Sequence, residues 1–318
     1  MTSRFTQIDL AKLPAPDVIE TIDYEVILED MKASAIEVAP ELEEVLELES
    51  EPAVKVLQVC AYYVMLARAR VNDAGRAVML AFAGGTDLDH LGALLGVERA
   101  VIDDGDPDAV PPVPLTLEDD DRFRDRIQLS LEGFSTAGPV GAYKFHALSA
   151  SPQVHDVAVT SPEPGEVRVT ILSKDRDNHE LLDGTWLLDG SKNLDGTDPD
   201  LLDAVEATLN ADDVRPLTDL VVVQSATFVP YRVEAELEMK PGPDAAVVLA
   251  EAEQAMQAYV DKQYRLGATI ARSGLYAALH REGVRLVDLI EPARDLELQS
   301  HEAGDCTDIT LTIAGAAA

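Results

Sequence analysis

The sequence predicts an α+β fold: an extended arm, an N-terminal helical domain, then two small domains of helix plus mixed sheet. Three observations predict it. Apolar residues recur at helical spacing through most of residues 25–100. From residue 138 onward, alternating apolar runs take turns with amphipathic stretches, as strands interleaved with helices do. Within that second region, a helix carrying Tyr and His precedes a strand carrying Val and Asp on two occasions. The divisions expected are 1–24 for the arm, 25–133 for the helical domain, 134–230 for the first α+β domain and 231–318 for the second.

The arm comes first. Leu13-Pro14-Ala15-Pro16 cannot be helical throughout, because each proline pushes its predecessor toward extended backbone. Asp17 can cap the next turn, with Glu20 three residues on completing a capping box. Val18, Ile19, Ile22, Val26 and Ile27 give this stretch one sticky side. So short a segment has little core of its own and must lie on its own domain or on another subunit. Leu13, Pro14, Pro16, Val18 and Ile19 are therefore candidate partner-binding residues.

In the helical domain, Leu42, Val45, Leu46 and Leu48 recur among glutamates and predict a helix over 41–48. Leu42, Val45 and Leu46 join the partner-binding candidates. Pro52 suits the first turn of the next helix, where its missing N–H is no loss. That helix is expected to reach Phe82 and to stop at Gly84-Gly85. Cys60, inside an apolar run, is expected to be a buried thiol. Thr86 with Asp89 opens a helix over 87–95, closed by Gly96. Residues 101–118, with Asp103-Asp104-Gly105-Asp106-Pro107-Asp108 and Pro111-Pro112-Val113-Pro114, read as a linker or long surface loop. A charged helix follows from Glu118 to about Phe134.

The α+β part opens with a helix over 139–149. Val154–Val159 and Glu166–Leu172 alternate and pair as a hairpin around Ser161-Pro162-Glu163-Pro164-Gly165. A helix over 200–210 precedes strands at 220–223 and 231–237. Helices at 245–264 and 273–280 precede strands at 284–290 and 308–313. Near 178–197, Leu-Asp-Gly recurs every six residues, at Leu182, Leu188 and Leu194, and reads as a surface insertion with repeated turns. A calcium loop on Asp183, Asp189 and Asp195 is the sharper reading. Its spacing is not that of an EF-hand, and no bidentate Glu falls in place.

Asp and Glu number 59 against 25 Lys and Arg, a formal charge of −34. A general basic surface for nucleic acid is thereby excluded, since phosphates would be repelled. Docking to anionic lipid is disfavoured for the same reason. Cys60 and Cys306 make neither a disulfide framework nor a zinc pattern. No run reaches the roughly 18 apolar residues of a membrane span, and no signal core opens the chain.

Catalytic constellations are missing from the pattern. The six histidines form no His-x-x-x-His pair. The run Gly133–Gly138 has the outline of a nucleophile elbow with one residue too many, and it follows a helix instead of a strand. Gly84-Gly85 lacks the spacing of a phosphate loop. No cofactor is expected.

At Glu118–Val159 the residues take on a familiar order. Asp121-Arg122-Phe123-Arg124-Asp125-Arg126-Ile127, Phe134-Ser135-Thr136-Ala137-Gly138-Pro139, Ala142-Tyr143, His146-Ala147-Leu148-Ser149 and Val154-His155-Asp156-Val157 resemble the baseplate J-like family of contractile-tailed phages. Further pieces agree in order: Leu13–Glu20, Leu48–Pro52, Arg70–Ala74, Thr86–Leu91 with Gly96–Arg99, Val214–Asp219 and Tyr276–Leu279. The Leu-Asp-Gly insertion departs from the family pattern.

The resemblance implies a structural, non-enzymatic protein of the tail baseplate, made in the host cytoplasm. It implies two copies per wedge with one copy of a baseplate protein I-like partner, N-terminal helices bundling with that partner, and C-terminal domains pairing between wedges in a ring around the hub. A lysozyme-like, W-like wedge protein would link wedge to hub and sheath, and widening of the ring would release contraction. Two readings compete. A tail-associated cell-wall hydrolase would need a cleft with a perturbed acid. A generic acidic scaffold would be monomeric and would lose its fold at low salt.

Overall fold

A computed structural model of the chain describes residues 8, 10–14, 16, 19–135, 138–174, 181–182, 185–186, 199–212, 214–241 and 244–314. The chain forms two compact units: Thr6–Arg99 with Asp119–Gln128, and Ala100–Glu118 with Leu129–Ala318. The α+β class holds, with helices first and sheets after them.

In the helical unit, Asp23 caps α1 (Tyr24–Val38) by accepting the N–H groups of Glu25 and Val26. A 3-10 turn at Pro40–Leu42 leads into α2 (Glu43–Leu46), shorter than the expected 41–48 helix. Pro52 opens α3 (Pro52–Ala77) as expected. Ile27 and Leu28 of α1 bury against Ala61 of α3, with Ile22, Met31, Leu57, Val64 and Met65 packed around them. The capping box at Asp17 falls outside the described residues.

Two expectations fail beyond this point. The α3 helix ends at Ala77, not Phe82. Arg124 takes up the turn that follows, donating from Nε to Leu80 O and from Nη2 to Ala83 O, each at 2.8 Å. Next, α4 (Gly85–Leu94) has Gly84 as its N-cap, not Thr86. The Gly85 N–H that a cap would satisfy donates instead to Asp120 Oδ2 at 3.0 Å. Asp120 opens α5 (Asp120–Gly133), whose residues through Gln128 complete this unit. Its charged surface is only half the helix: Phe123 and Ile127 are wholly buried. They need Gly92 opposite them, because a Cβ there would lie 2.6 Å from Phe123 Cζ.

In the second unit, residues 101–118 are not an open linker. Strand β1 (Val101–Asp103) pairs antiparallel with β2 (Thr116–Leu117), and Asp106 bridges Val113. The buried Glu118 carboxylate closes the base of this excursion by accepting Ala100 N–H at 3.0 Å. Two three-stranded sheets follow.

The first has α6 (Val140–Ala150), β3 (Val154–Thr160), β4 (Glu166–Ser173), α7 (Pro199–Leu209) and β7 (Leu220–Ser225). A small ladder, β5 (Leu181–Leu182) with β6 (Thr185–Trp186), lies in the insertion; the rest of 175–198 is outside the described residues. Strand β4 is central, antiparallel to β3 and parallel to β7. The β3–β4 turn sets Gly165 at φ +85°, in the left-handed region that glycine tolerates. Tyr143, Ala147, Leu201, Val205 and Leu209 of the helices bury against Val154, Val157, Val169, Ile171 and Val221.

The second sheet has β8 (Thr227–Met239), α8 (Ala245–Gln263), β9 (Thr269–Ile270), α9 (Arg272–Leu279), β10 (Val284–Glu291), β11 (Leu296–Glu297) and β12 (Glu302–Ile313). Strand β8 is central, antiparallel to β10 and parallel to β12; β9 pairs separately with β11. The repeat suggested by the sequence is thus a permuted one. Each sheet has one helix leading into an antiparallel edge, α6–β3 or α9–β10. Each central strand is followed in the chain by the other helix, β4–α7 or β8–α8. In the second sheet those two pieces are exchanged in order.

Candidate functional site

Helix α3 is apolar on two sides. Val54 and Ala61 are fully buried toward the unit's core. On the opposite side, Val56, Val59 and Tyr63 are 61%, 56% and 66% exposed, and Leu66 continues the line. Positions 56, 59, 63 and 66 step by three, four and three, which is a coiled-coil seam with Val and Tyr at the first-type positions and Val and Leu at the second. Cys60, Tyr62 and Val71 lie exposed beside it. The thiol is therefore not buried as expected. The apolar run around it belongs to a second, uncovered face. Where α1 meets α3, a groove of about 350 Å³ is lined by Ile27, Met31, Leu57, Cys60, Val64 and Arg68. Exposed apolar side chains aligned along one helix face are a feature of interaction surfaces.

The candidates named from sequence are placed as follows. Leu13 and Pro14 are exposed, Pro16 and Ile19 half-buried, and Val18 is outside the described residues. The arm's end is held on its own chain: Glu20 N–H donates to Asn72 Oδ1 at 3.0 Å, and Asn72 Nδ2 donates to Glu20 O at 2.9 Å. Leu42 and Val45 are half-buried, and Leu46 is core. None of them lies in the α3 seam. Sequence reasoning passed over Val56, Val59 and Tyr63 because two apolar stripes on one helix blur into a single periodicity. The three-four spacing within 56–66 was the signal available.

Electrostatics of the helical unit centre on Arg99. Its Nε and Nη2 each lie 2.7 Å from a carboxylate, Asp89 and Asp120 respectively, and its guanidinium covers the Phe123 ring at 4.7 Å. Burial acts to lower the Arg99 pKa, but hydrogen bonds and charge from both aspartates carry it above the usual value. Burial acts to raise Asp120, yet the Gly85 N–H and Arg99 bring it below the usual value.

The other perturbed groups are structural. Burial and a hydrogen bond to Asp219 at 2.7 Å push Tyr143 up. Burial pushes Cys306 up to about 11, which keeps the thiol protonated at neutral pH. Among the described residues no three His, Cys, Asp or Glu side chains gather as a metal site would require. No helix among them is long and apolar enough to cross a membrane.

A different set of contacts ties the two sheets together. Ala226 alone separates β7 from β8, so the edge of one sheet continues as the centre of the next. Tyr264 donates to Ser173 O at 3.1 Å, and Leu266 N–H donates to Asp156 Oδ2 at 3.0 Å. His155 donates from Nε2 to Tyr264 O at 2.8 Å. Leu172, Ala226, Phe228, Tyr264 and Ala303 form a small core at this junction.

Three family models match in chain order: the baseplate J-like N-terminal domain over residues 49–106, the central domain over 135–225 and the C-terminal domain over 231–312. Baseplate protein J of Escherichia phage P2 is 43% identical over 313 residues, which span 97% of this chain and 98% of that protein. Helices before sheets, two joined α+β domains and a match across nearly the full length make this chain a member of the baseplate J-like family.

Proposed function

We propose that this baseplate component is a wedge protein: two copies assemble with one baseplate protein I-like chain, and wedges join through the C-terminal α+β domains into a ring around the hub. A W-like, lysozyme-like protein would bind the wedge from the hub side. Widening of the ring would pass the contraction trigger to the sheath. The role is structural, with no catalytic step, no cofactor, no nucleic acid and no membrane. The working parts are those expected from sequence: arm 1–24, helical domain 25–133, and α+β domains 134–230 and 231–318.

One observation carries this reading. The largest run of exposed apolar side chains on a named element is the α3 seam, and a free acidic monomer has no use for it. Bundling would bury Val56, Val59, Tyr63 and Leu66. The arm residues Leu13, Pro14, Pro16, Val18 and Ile19 would add a contact whose prolines limit the entropy lost on docking. Native mass spectrometry of the chain co-expressed with its flanking genes tests the proposal. A complex with two copies of this chain and one of another is expected. A lone chain at every salt concentration would refute the wedge.

A further inference from the structure

We infer that the chain associates with its own copies head to tail: the β1–β2 hairpin of one copy docks in the cleft between α9 and β10 of the next. This rests on the wedge reading for its setting, a ring, and adds to it a contact between copies.

The hairpin is pinned and apolar at once. Asp106 and Val113 exchange two backbone hydrogen bonds of 2.9 Å. The Asp103 and Asp106 carboxylates accept the N–H groups of Gly105 and Asp108. Gly105 sits at φ +68°, where a Cβ would lie 2.5 Å from Val113 O. Its apolar side chains nonetheless point outward: Val110 in the tip is 98% exposed, and Val113, Leu115 and Leu117 are exposed along the returning arm. A tip held in place beforehand loses little freedom on docking. Residues 100–118 carry four aspartates and Glu118 against no cation. Asp104 and Asp108 are exposed and take part in no ion pair among the described residues. The complement of this hairpin is an apolar recess with a cation on its rim.

The same chain has such a recess. A cleft of about 440 Å³ is lined by Tyr276, Ala277, His280, Arg285, Leu286 and Val287, with no carboxylate among them. Leu286 is 57% exposed in it. Two nearby carboxylates are engaged, Glu238 with Arg285 at 2.6 Å and Asp295 with the Arg272 N–H at 2.7 Å. Arg281, next to His280 in the chain, takes part in no ion pair among the described residues; Glu282 and Asp288 are exposed outside the lining.

Charge decides which surfaces meet. Two hairpins face to face would set four aspartates against four, and two clefts would set Arg285 against Arg285. Only the unlike pairing brings Asp108 toward a guanidinium, and like charges select against the others. The groove between α1 and α3 is a poorer seat, because Asp30 lines it. One hairpin-to-cleft contact leaves a cleft free on one copy and a hairpin free on the other. Such a contact propagates head to tail and closes as a ring where the rotation allows.

Sedimentation equilibrium of the full chain tests this, at about 0.15 M salt so that the repulsion between acidic copies is screened beyond about 8 Å. A contact this small should be weak, with a dissociation constant of about 0.1 mM. Val110→Asp and Leu286→Asp should each weaken association about tenfold or more. Mixed together, the two variants should associate again, but only as a one-to-one dimer, since one keeps its cleft and the other its hairpin. Both sites are exposed, and circular dichroism checks that the fold survives. Ala277→Trp, which fills the cleft, repeats the second arm.

A chain that stays monomeric up to about 1 mM, or association that neither variant weakens, would overturn the contact. Variants that stay monomeric even when mixed would overturn the head-to-tail assignment. A two-to-one complex in native mass spectra without association of free copies would sink this inference and leave the wedge standing. Head-to-tail association with no two-to-one complex would do the reverse.

Discussion

Asn72 holds the end of the arm through two hydrogen bonds to one peptide neighbour, Glu20, and it is buried while doing so. Asn72→Ala removes both bonds and leaves an unsatisfied N–H and carbonyl, at a cost of about 2 kcal/mol. A lower urea midpoint and faster proteolysis ahead of residue 24 are the expected results. Asp120 makes a pH-dependent contribution instead. Its folded pKa lies below the ordinary 3.8, so its stabilisation is present above that value and fades as pH falls through the lower folded one. Asp120→Asn should cost about 1 kcal/mol at pH 7, a figure kept small because the side chain is 41% exposed and screened. The gap between wild type and variant should close as the urea midpoint is followed down to about pH 2. At this scale the sequence was hard to read. Asp120 and Gly85 stand far apart in the chain, and local capping signals pointed to Thr86.

Elements were more legible than their ends. Alternation marked β3, β4, β8 and β10, because each buries one face against helices. Asp23, a capping residue directly before an apolar run, was a readable start that Asp17 obscured. The excursion at 101–118 was missed, since its pairing depends on Glu118 meeting Ala100 and not on any period within it. The tie between the sheets was also invisible, being made of single bonds over long separations. It leads to a prediction. Tyr264→Phe removes the bond to the buried Ser173 carbonyl and should lower stability by about 1 kcal/mol while unfolding stays one transition. Asp156→Ala combined with Tyr264→Ala should loosen the junction, so that hydrogen exchange in β8 and in β4 becomes separable. Exchange that stays locked together in the double variant would mean that the strand running through Ala226 suffices.

For the molecule as a whole, the family was legible from ordered motifs. Sequence reasoning placed partner contacts in the arm, at Leu42, Val45 and Leu46, and on apolar stripes of the helices over 41–83, and the exposed apolar side chains of α3 lie within that last range. The two ideas separate under truncation. Removing residues 1–16 leaves Ile19, Glu20, Ile22 and Asp23 in place, so the thermal midpoint should move by no more than a few degrees while wedge yield falls. Tyr63→Glu should leave the monomer intact and lower wedge yield further. The helical unit also has a consequence for how the protein is made. Its last pieces, Asp120 for Gly85, Arg124 for the turn after α3 and Phe123 against Gly92, all arrive after residue 118. On the ribosome, the nascent chain must therefore carry α1, α3 and α4 unfinished until codon 128 has been translated and its product has cleared the exit tunnel. Limited proteolysis should find α4 open on chains stalled before residue 128 has left the tunnel and protected on chains stalled well after it.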